Sequence, residues 1–305
     1  MAHGPCPYSI VVVTWNSQDH LRRLLASLAK DPHPATELIV VDNDSADDPE
    51  LVAKEAPGPV QVIRLAENRG YGAAANVGVN EAAGDAVVVM NPDTELAGGS
   101  LGALAGFAFG AWALAGPRLL NPDGSIQPSA SGIPVGAWPW VGAVLPGRAA
   151  PPPVRRRTEP WRSRSTAQVA WLTGACVAGP RELLAELGPF DPRIHLYAED
   201  MELGLRAARR GTPSFICPTL CRVIHLRRGS TAKRFASGPE RLMAQNLRLI
   251  LEREYGERRA ARALRAQRFN LKARSLAKGL AGRPAEREQR LLDALRATPG
   301  PTVPD

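Results

Sequence analysis

Short apolar runs alternate with helically spaced apolar positions along the first third of the chain. Four runs are dominated by apolar residues, as is typical of strands buried on both faces of a parallel sheet, and they lie at residues 9–16, 38–42, 60–65 and 86–90. Between them, three segments are typical of helices or of loops that lead into helices, at residues 18–30, 49–56 and 68–79. This alternation predicts an α/β fold with a mostly parallel central sheet flanked by helices.

The pattern loosens after residue 117 and then becomes helical. Residues 151–168 begin with three prolines and are otherwise largely polar, so we expect a mobile loop or a domain edge there. Periodicity then predicts three further elements: a helix at 199–210, an extended segment at 214–226 and helices from 239. The resulting division is an α/β body over 1–236, a helical C-terminal extension over 237–297 and a disordered tail over 298–305.

Positive charge is concentrated in the C-terminal extension. Residues 240–297 contain 15 Lys and Arg against 7 Asp and Glu, whereas residues 1–239 contain 23 against 22. Such an excess is typical of a surface for an anionic partner or of a solvated helical face. The basic segment is compatible with peripheral contact with a membrane, and the sequence is compatible with an oligomer.

Cysteine usage and the N-terminal segment indicate a cytoplasmic protein. The four cysteines lack paired spacing, which argues against a disulfide framework and for a reducing compartment. Residues 1–8 lack the basic start and apolar core of a secretory signal, and residues 98–117 are too rich in Gly and Ala for a good membrane span. We therefore expect a cytoplasmic chain, with association at the cytoplasmic face of a membrane left open.

Polar residues follow three of the predicted strands at one edge of the sheet. Asp42 ends the second strand, residues 68–72 follow the third, and Asp93 follows the fourth after a proline that must end it. A carboxylate there can accept from a base or ribose, glycine lets backbone N–H groups approach phosphate, and Arg69 suits a diphosphate. Together these residues predict a nucleotide crevice, although each alone is also typical of a stabilised turn.

A second cluster of acids opens the predicted helix at 199–210. Glu199 and Asp200 lie where the positive end of the helix favours a carboxylate. They are either helix-capping acids or, in the case of Asp200, a general base for an acceptor hydroxyl. His225 alone indicates a structural histidine more readily than a ligand, and Arg227, Arg228 and Lys233 follow it as candidate diphosphate contacts.

Eight short motifs then occur in a fixed order: Val-Val-Val-Thr-Trp-Asn at 11–16, Ile-Val-Val-Asp-Asn at 39–43, Asn-Arg-Gly-Tyr-Gly at 68–72, Asn-Pro-Asp-Thr at 91–94, Trp-Leu-Thr-Gly-Ala at 171–175, Phe-Asp at 190–191, Leu-Tyr-Ala-Glu-Asp at 196–200 and His225. Over about 9–230 this set resembles family 2 glycosyltransferases, and within them a bacterial rhamnosyltransferase-like subgroup. The resemblance implies a GT-A fold over 1–236, with a nucleotide-binding half at about 9–118 and an acceptor half at about 119–236. It also implies a divalent metal and inversion at the anomeric carbon.

The resemblance further implies roles for individual residues. Asp93 and His225 would bind the metal, Mg²⁺ or Mn²⁺, and Asp200 would be the catalytic base with Glu199 beside it. The donor-binding set would be Thr14, Asn16, Asp42, Asn68, Arg69, Gly70, Tyr71, Asn91 and Asp93, with Asp42 holding the base. Asn91 stands where many relatives have the first acid of an Asp-x-Asp motif, which leaves the strength of metal dependence open.

The activity so implied moves a sugar, such as rhamnose or another deoxysugar, from a nucleoside-diphosphate donor. The donor would be dTDP- or UDP-linked, and the acceptor would be a hydroxyl of a glycan, a lipid-linked glycan or a small natural product. The variable segment at 130–168 carries Trp138, Trp140 and Trp161, which can stack on an acceptor or simply pack. No nucleic-acid partner is expected.

Three other interpretations stay open from the residues alone. Residues 70–75 match the G-x-G-x-x-A fingerprint of nicotinamide-dependent Rossmann oxidoreductases, although these glycines follow the third strand instead of the first. The basic residues 240–297 are compatible with a non-catalytic module that binds nucleic acid or membranes. Cys217, Cys221 and His225 supply three potential zinc ligands, against which buried apolar cysteines are the simpler explanation.

Overall fold

A computed structural model shows two compact units and describes residues 6–144, 150–227, 239–280 and 282–297. The first unit comprises Met1–Ala130 and Pro160–Ser230, and the second comprises Ser131–Glu159 and Thr231–Asp305. The tail predicted at 298–305 lies outside the described residues, as do Arg228 and Lys233.

Strands and helices alternate strictly in the N-terminal part of the chain and less regularly afterwards. The strands are β1 (Tyr8–Thr14), β2 (Glu37–Asp42), β3 (Val60–Arg64), β4 (Ala86–Met90), β5 (Thr94–Gly99), β6 (Leu114–Gly116), β7 (Arg118–Leu120), β8 (Ala130–Ser131), β9 (Ala167–Val169), β10 (Trp171–Leu172), β11 (Cys176–Pro180), β12 (Ser214–Ile216) and β13 (Cys221–His225). The helices are α1 (Gln18–Leu28), α2 (Pro49–Ala53), α3 (Tyr71–Glu81), α4 (Leu101–Ala111), α5 (Trp138–Val144), α6 (Pro152–Thr158), α7 (Arg181–Leu187), α8 (Glu199–Arg209), α9 (Pro239–Tyr255), α10 (Glu257–Leu280) and α11 (Glu286–Ala297).

The central sheet has the strand order β3-β2-β1-β4-β11-β6-β12-β9. The four N-terminal strands are parallel to one another, so their carboxyl ends meet at one edge. β11 is antiparallel to both β4 and β6, and β9 is antiparallel to β12. The predicted α/β class with a mostly parallel sheet is confirmed, and the antiparallel insertion of β11 beside β4 is one feature that the sequence did not indicate.

Alternating residues of the buried strands fill two cores, one on each face of the sheet. Along β1, Ile10 and Val12 belong to a cluster with leucines of α1 and α4, whereas Val11 and Val13 belong to a cluster with α3 and α7. All four side chains are at most 5% exposed. Full burial of such a side chain contributes about 1.5–3 kcal/mol, so the rigid frame of the sheet rests on these apolar strands.

A second sheet has three strands in the order β5-β13-β7. It brings the last residue of β13 close to the residues that follow the end of β4. β5 follows β4 after three residues, and β13 pairs with it antiparallel so that His225 lies opposite Thr94. This pairing places the imidazole of His225 next to Asp93, which directly precedes Thr94. The two residues are 132 positions apart in the chain and become neighbours only through this sheet.

The second unit consists of helices, and α10 packs against α5, α9 and α11. α10 carries six exposed residues at successive spacings of three and four, which we call the basic stripe: Arg258, Arg262, Arg265, Phe269, Lys272 and Leu276. Spacings of three and four place residues on one face of a helix. The ring of Trp140 in α5 lies 5.8 Å from that of Phe269, centroid to centroid.

The expectation for the proline-rich segment after residue 150 needs correction in part. Residues 152–158, expected within a mobile loop or domain edge, form helix α6, in which prolines occupy the first turn, where no intrahelical N–H is needed. The boundary between the units does fall next to this segment, at Glu159. Among the helices that the structure describes, none is both long and apolar enough to cross a membrane.

Candidate active site

The carboxyl ends of β1, β2 and β4 bring the predicted donor residues to one edge of the sheet. Thr14 and Asp42 are register partners at the ends of β1 and β2, and Asn91 and Asp93 follow the end of β4. Thr14 is fully buried and its hydroxyl hydrogen-bonds to Ser17 Oγ at 2.9 Å, so it supports the turn after β1.

Asn16 holds the neighbouring loop in place. Its Oδ1 accepts from the backbone N–H of Ala46 at 2.7 Å, and its own N–H donates to Ser45 Oγ at 3.0 Å. The residue adopts a positive φ of 49°, a conformation that asparagine tolerates better than most residues. The structure therefore shows Asn16 shaping the rim of the crevice.

Asp42 is at the predicted place, but its carboxylate is covered and occupied. Oδ2 accepts from Arg64 Nε at 2.8 Å, Oδ1 accepts from the N–H of Ser45 at 3.0 Å, and the side chain has no exposed surface. The hydrogen bond and the charge of Asp42 raise the pKa of Arg64. Arg64 is 58% exposed in its side chain, and the sequence offered only its position at the end of β3 as a signal.

Asn43 organises the loop that contains Asn68, Arg69 and Gly70. Its Oδ1 accepts from the N–H of Arg69 at 2.9 Å, while its Nδ2 donates to Asn68 Oδ1 at 3.2 Å and to the carbonyl of Gly70 at 3.3 Å. Asn43 is 3% exposed, so a buried side chain holds this network of hydrogen bonds in place. It is a residue that the sequence motif contained and to which the sequence alone gave no role.

The glycines of this loop serve close packing at the start of α3. Gly70 has a φ of 84°, and a Cβ there would collide with the carbonyl of His195. A Cβ at Gly72 would lie 2.9 Å from Cβ of Phe190. The match of residues 70–75 to a dinucleotide fingerprint thus has a structural explanation at this position, and the loop follows β3, the edge strand of the sheet.

Asp93 and His225 form a pair that faces inward at the same edge. Asp93 Oδ1 lies 3.4 Å from His225 Nε2, and the two side chains are 14% and 12% exposed. The other ring nitrogen, Nδ1, lies 2.9 Å from Oε1 of Gln127, a fully buried residue to which the sequence gave no role. Asn91 Oδ1, two residues before Asp93, is buried without a hydrogen-bond partner in the described structure.

These groups fit a divalent cation that shares its coordination with a ligand. Asp93 and His225 supply an oxygen and a nitrogen, and no cluster of three or more Asp, Glu, His or Cys within the described residues could complete a protein-only site. Mg²⁺ typically takes one or two carboxylates and completes its shell with phosphate and water, which agrees with such an open pair. Cys217 and Cys221, by contrast, are fully buried in the hydrophobic cluster beneath the sheet, and burial raises the pKa of both thiols.

Asp200 is held at the first turn of α8 by backbone groups. Its Oδ2 accepts from the N–H of Gly174 at 2.9 Å and its Oδ1 accepts from the N–H of Met201 at 2.7 Å. The preceding Tyr197 and Ala198 have positive φ values of 66° and 69°, so the chain turns sharply into the helix. Such left-handed residues are costly outside glycine and often accompany functional sites.

Glu199 and Asp200 differ in how their charges are compensated. Burial raises the pKa of Glu199 to about 8, and the negative charge of Asp200 adds to this rise. Burial also raises the pKa of Asp200, but the N–H groups of Gly174 and Met201 oppose this shift. Glu199 Oε2 is buried with no partner among the described residues. The two backbone N–H groups therefore favour the ionised form of Asp200, whereas burial and the charge of Asp200 favour the protonated form of Glu199.

Tyr71 joins the donor loop to the acidic pair. Its hydroxyl donates to the carbonyl of Gly174 at 3.1 Å, and its N–H donates to the carbonyl of His195 at 3.2 Å. The ring packs edge-on against Phe190 with centroids 5.9 Å apart. Burial, followed by the charges of Glu199 and Asp200, raises the pKa of Tyr71 well above its ordinary value, so it remains a hydrogen-bond donor.

Comparisons with known proteins identify the family of this chain. The model of the protein family described as Glycosyl transferase family 2 matches residues 9–120 of this chain. An N-acetylglucosaminyl-diphospho-decaprenol L-rhamnosyltransferase of Mycobacterium tuberculosis is 33% identical over 247 residues, which are 75% of this chain and 78% of that protein.

Solved structures with low sequence identity share the fold. A mannosyltransferase from Pyrobaculum calidifontis, in complex with GDP-Man and Mn²⁺, has a TM-score of 0.59 at 18% identity and is matched over 96% of this chain and 86% of its own. GalNAc-T7 with UDP, GalNAc and Mn²⁺ has a TM-score of 0.59 at 20% identity over 81% of this chain and 48% of its own. The extent and identity of the mycobacterial match decide the assignment: the chain belongs to the family 2 glycosyltransferases.

Proposed function

We propose that this glycosyltransferase moves a deoxysugar, rhamnose first among the candidates, from a nucleoside-diphosphate donor to a hydroxyl of a lipid-linked glycan, with inversion at the anomeric carbon. The observation that carries the proposal is the convergence of a carboxylate–imidazole pair, Asp93 and His225, with a backbone-held carboxylate, Asp200, in one unit. The rhamnosyl donor and the lipid-linked acceptor come from the name of the mycobacterial relative.

The donor nucleotide would occupy the edge formed by β1, β2 and the 68–72 loop. Asp42 would accept from the base once Arg64 yields its place, which the exposed position of that arginine allows. Arg69 would lie near the diphosphate, where a guanidinium can donate two hydrogen bonds to phosphate oxygens. A dTDP- or UDP-linked donor is proposed because thymine and uracil both offer an N3–H to a carboxylate.

Asp93 and His225 would hold Mg²⁺ or Mn²⁺ against the donor diphosphate. Such an ion, when bound, offsets the charge that develops on the departing nucleoside diphosphate. The contribution of the chain is to fix the two ligands: β5 and β13 pair at Thr94 and His225, and Asp93 sits in the short connection between β4 and β5. The unpartnered Asn91 Oδ1 offers a further neutral acceptor for water or a donor hydroxyl in the same place.

Asp200 would be the general base of a single in-line displacement. The acceptor oxygen attacks the anomeric carbon and its proton passes to Asp200, while the bond from that carbon to the diphosphate oxygen breaks. The configuration is inverted because the nucleophile enters opposite the leaving group. Burial strengthens the carboxylate as a base, and the N–H groups of Gly174 and Met201 keep it oriented.

Glu199 would remain protonated beside Asp200 and would not compete for the proton. A second ionised carboxylate next to Asp200 would be opposed by burial and by like-charge repulsion, the two causes that raise its pKa. Its proposed role is to keep the site at a single negative charge.

The second unit would place the enzyme near its acceptor by peripheral contact with an anionic membrane. Residues 258–280 contain eight Lys and Arg and no Asp or Glu. Along the basic stripe, Phe269 and Leu276 are 44% and 66% exposed, and Trp140 beside Phe269 is 40% exposed. Mixed basic and aromatic surfaces are typical of helices that lie at a membrane interface, which supports peripheral association with a membrane.

A transfer assay tests the proposed activity directly. Purified protein is incubated with radiolabelled dTDP-rhamnose, UDP-N-acetylglucosamine or UDP-glucose and with a short-chain polyprenyl diphosphate that carries N-acetylglucosamine. We expect label from dTDP-rhamnose in the lipid product, with the opposite anomeric configuration to the donor, and a rate on the order of 10²–10⁴-fold lower with Asp200→Asn. Transfer from another donor at comparable rate would overturn the rhamnosyl assignment, and a product of retained configuration would overturn the mechanism.

Thermal unfolding tests the cation assignment without turnover. A ligand that binds only the folded state raises the melting temperature, so dTDP or UDP with Mn²⁺ should stabilise the wild-type protein more than nucleotide alone. Asp93→Asn should lose this extra shift, whereas Asp19→Asn, at an acid whose side chain is 95% exposed, should retain it. Equal shifts in all three proteins would exclude Asp93 as a metal ligand.

A further inference from the structure

Gln127 is a fully buried polar side chain that hydrogen-bonds to His225 of the proposed cation site through both atoms of its amide group. It follows the turn of residues 121–124, and its own N–H donates to the carbonyl of Leu119 at 2.9 Å. A buried amide side chain is costly unless its donors and acceptor are paired. Gln127 meets this requirement through Asn121 on one side and His225 on the other.

The direction of each hydrogen bond follows from groups that can act in only one way. The carbonyl of His225 can only accept, so the amide atom 3.1 Å from it is Nε2 of Gln127. This Nε2 also donates to Asn121 Oδ1 at 2.9 Å. Oε1 of Gln127 therefore faces His225 Nδ1 at 2.9 Å and accepts a hydrogen bond from it, so Nδ1 must carry a proton.

The orientation of Asn121 is fixed by the outer end of the same chain of hydrogen bonds. Ser125 Oγ donates to Asp123 Oδ1 at 2.6 Å, and it accepts from Asn121 Nδ2 at 2.8 Å. The hydrogen bonds from Ser125 lower the pKa of Asp123, which keeps that carboxylate an acceptor. Asn121 consequently presents its oxygen to Gln127, and neither amide can rotate without losing a bond.

A neutral imidazole with its proton on Nδ1 has a lone pair on Nε2. In this structure Nε2 lies 3.4 Å from Asp93 Oδ1, so a lone pair and a carboxylate oxygen are directed at the same small volume. Two acceptors facing each other favour a cation between or beside them. Ligating histidines are commonly held in this way, with the other ring nitrogen donating to an oxygen of the protein.

We propose that Gln127 is a positioning residue, which fixes the Nδ1–H tautomer of His225 and so presents Nε2, together with Asp93, to the divalent cation of the donor complex. The proposal rests on the proposed cation site for its second half, whereas the tautomer is a property of the metal-free protein. The hydrogen bonds that link Asp123, Ser125, Asn121 and Gln127 mean that the turn at 121–124 also helps to orient His225.

Nitrogen NMR of the histidine rings tests the tautomer in the full-length, metal-free protein. The chain has five histidines, and the His225 signals are assigned by their loss in His225→Gln. At alkaline pH, where an ordinary imidazole is neutral, we expect a protonated Nδ1 and an unprotonated Nε2. A protonated Nε2, or fast averaging between the tautomers, would overturn the proposal without any variant of Gln127.

Three variants separate the tautomer from general structural support. Gln127→Leu removes the acceptor for Nδ1–H and should give averaged tautomers and about 10- to 100-fold weaker Mn²⁺ binding in the presence of dTDP. Gln127→Glu keeps that acceptor but loses both donated bonds, so the Nδ1–H tautomer and most of the Mn²⁺ affinity should be retained. Ser129→Ala is the control, because Ser129 is equally buried, two residues away, and its hydroxyl has no partner in the described structure.

The outcomes distinguish the role of Gln127 in fixing the tautomer of His225 from the existence of the cation site. Equal loss of Mn²⁺ affinity in Gln127→Glu and Gln127→Leu would show that Gln127 supports β13 through the hydrogen bonds that its Nε2 donates. That result would overturn the positioning role. A correct tautomer in the wild type with no Mn²⁺ binding to any protein would support the tautomer and overturn the proposed cation site. Circular dichroism confirms that each variant is folded before its affinity is compared.

Discussion

Two adjacent carboxyl groups at the start of α8 have different environments, and this difference assigns their roles. Asp200 accepts hydrogen bonds from two backbone N–H groups, whereas one oxygen of Glu199 is buried without a partner in the described structure. Placing a second negative charge in a buried site is far costlier than keeping one proton. The residue that retains its charge is the one that can accept a proton during transfer.

Matched amide variants of this pair should therefore behave differently. Asp200→Asn keeps the shape of the side chain but removes the base, so we expect donor binding to be unchanged and kcat to fall on the order of 10²–10⁴-fold. Glu199→Gln replaces a group that is already neutral and should retain most of the activity near neutral pH. Steady-state kinetics and donor titration of both proteins check this. The reverse ranking would move the base to Glu199.

The raised pKa of Glu199 also predicts how stability depends on pH. The folded protein holds a proton on Glu199 up to about pH 8, whereas the unfolded chain releases it near the ordinary value of 4.5. Between these values the folded state binds more protons, so the free energy of unfolding falls as pH rises. Glu199→Gln should remove this decline. Urea titrations of both proteins across that range measure it, and parallel slopes would contradict a buried, protonated Glu199.

The sequence predicted roles for Glu199 and Asp200 and, with the family resemblance, for Asp93 and His225, but it predicted none for Gln127 or Arg64. Asp93, Glu199 and Asp200 lie after a strand end or at a helix start, where a carboxylate already indicates chemistry, whereas His225 was proposed as a ligand only through the family resemblance. Gln127 acquires its role from His225, 98 positions away, through pairing of β7 and β13. Arg64 contacts Asp42 because β2 and β3 are in register at their ends. Contacts of this kind have no local signal.

At the scale of elements, the predictable parts are those set by local pattern. β1 to β4 and the helices between them follow from apolar runs and helical spacing. β5 was missed because Thr94–Gly99 ends in two glycines with positive φ and directly follows a proline turn. The position of β11 between β4 and β6 was missed because strand order depends on pairing across nearly 90 residues.

The start of α3 is the element on which the donor loop depends. Gly70 combines a positive φ with close approach of the His195 carbonyl, so any Cβ there must displace backbone. Its φ of 84° and ψ of 164° lie in a region that is essentially restricted to glycine, so Gly70→Ala should destabilise the fold by roughly 1–3 kcal/mol from the backbone conformation alone. The collision adds to this cost, and we expect weaker nucleotide binding.

Gly58→Ala provides the matched control, because a Cβ at Gly58 would meet nothing within 4 Å and the φ of this residue is not positive. Thermal unfolding and dTDP titration of the two variants should show a lower melting temperature and weaker binding only for Gly70→Ala. Wild-type binding by Gly70→Ala would mean that the loop tolerates a shift and does not contact the donor.

At the scale of the whole molecule, charge is divided unequally between the two units. The basic stripe lies on α10 in the second unit, while the acids and the histidine of the candidate site lie in the first. A basic, partly apolar surface is attracted to anionic lipid, and the attraction is screened within about 8 Å at physiological ionic strength. Membrane recruitment would therefore be separable from catalysis by mutation.

The stripe predicts salt-sensitive binding to anionic vesicles that depends on three arginines. Each Lys or Arg near such a surface contributes about 1 kcal/mol, so replacing Arg258, Arg262 and Arg265 by Gln should weaken binding to vesicles of phosphatidylglycerol and phosphatidylcholine on the order of 100-fold. The control replaces three exposed cations of the first unit by Gln, at Arg23, Lys30 and Lys54, with the same loss of charge. Sedimentation with vesicles measures both, and vesicles of phosphatidylcholine alone should bind neither protein.

Because the stripe contains none of the proposed site residues, transfer to a water-soluble acceptor analogue should be the same in both variants, whereas transfer to a vesicle-bound acceptor should fall only in the first. Equal weakening by the two triple variants would show that net charge, and not this face of α10, draws the enzyme to the membrane.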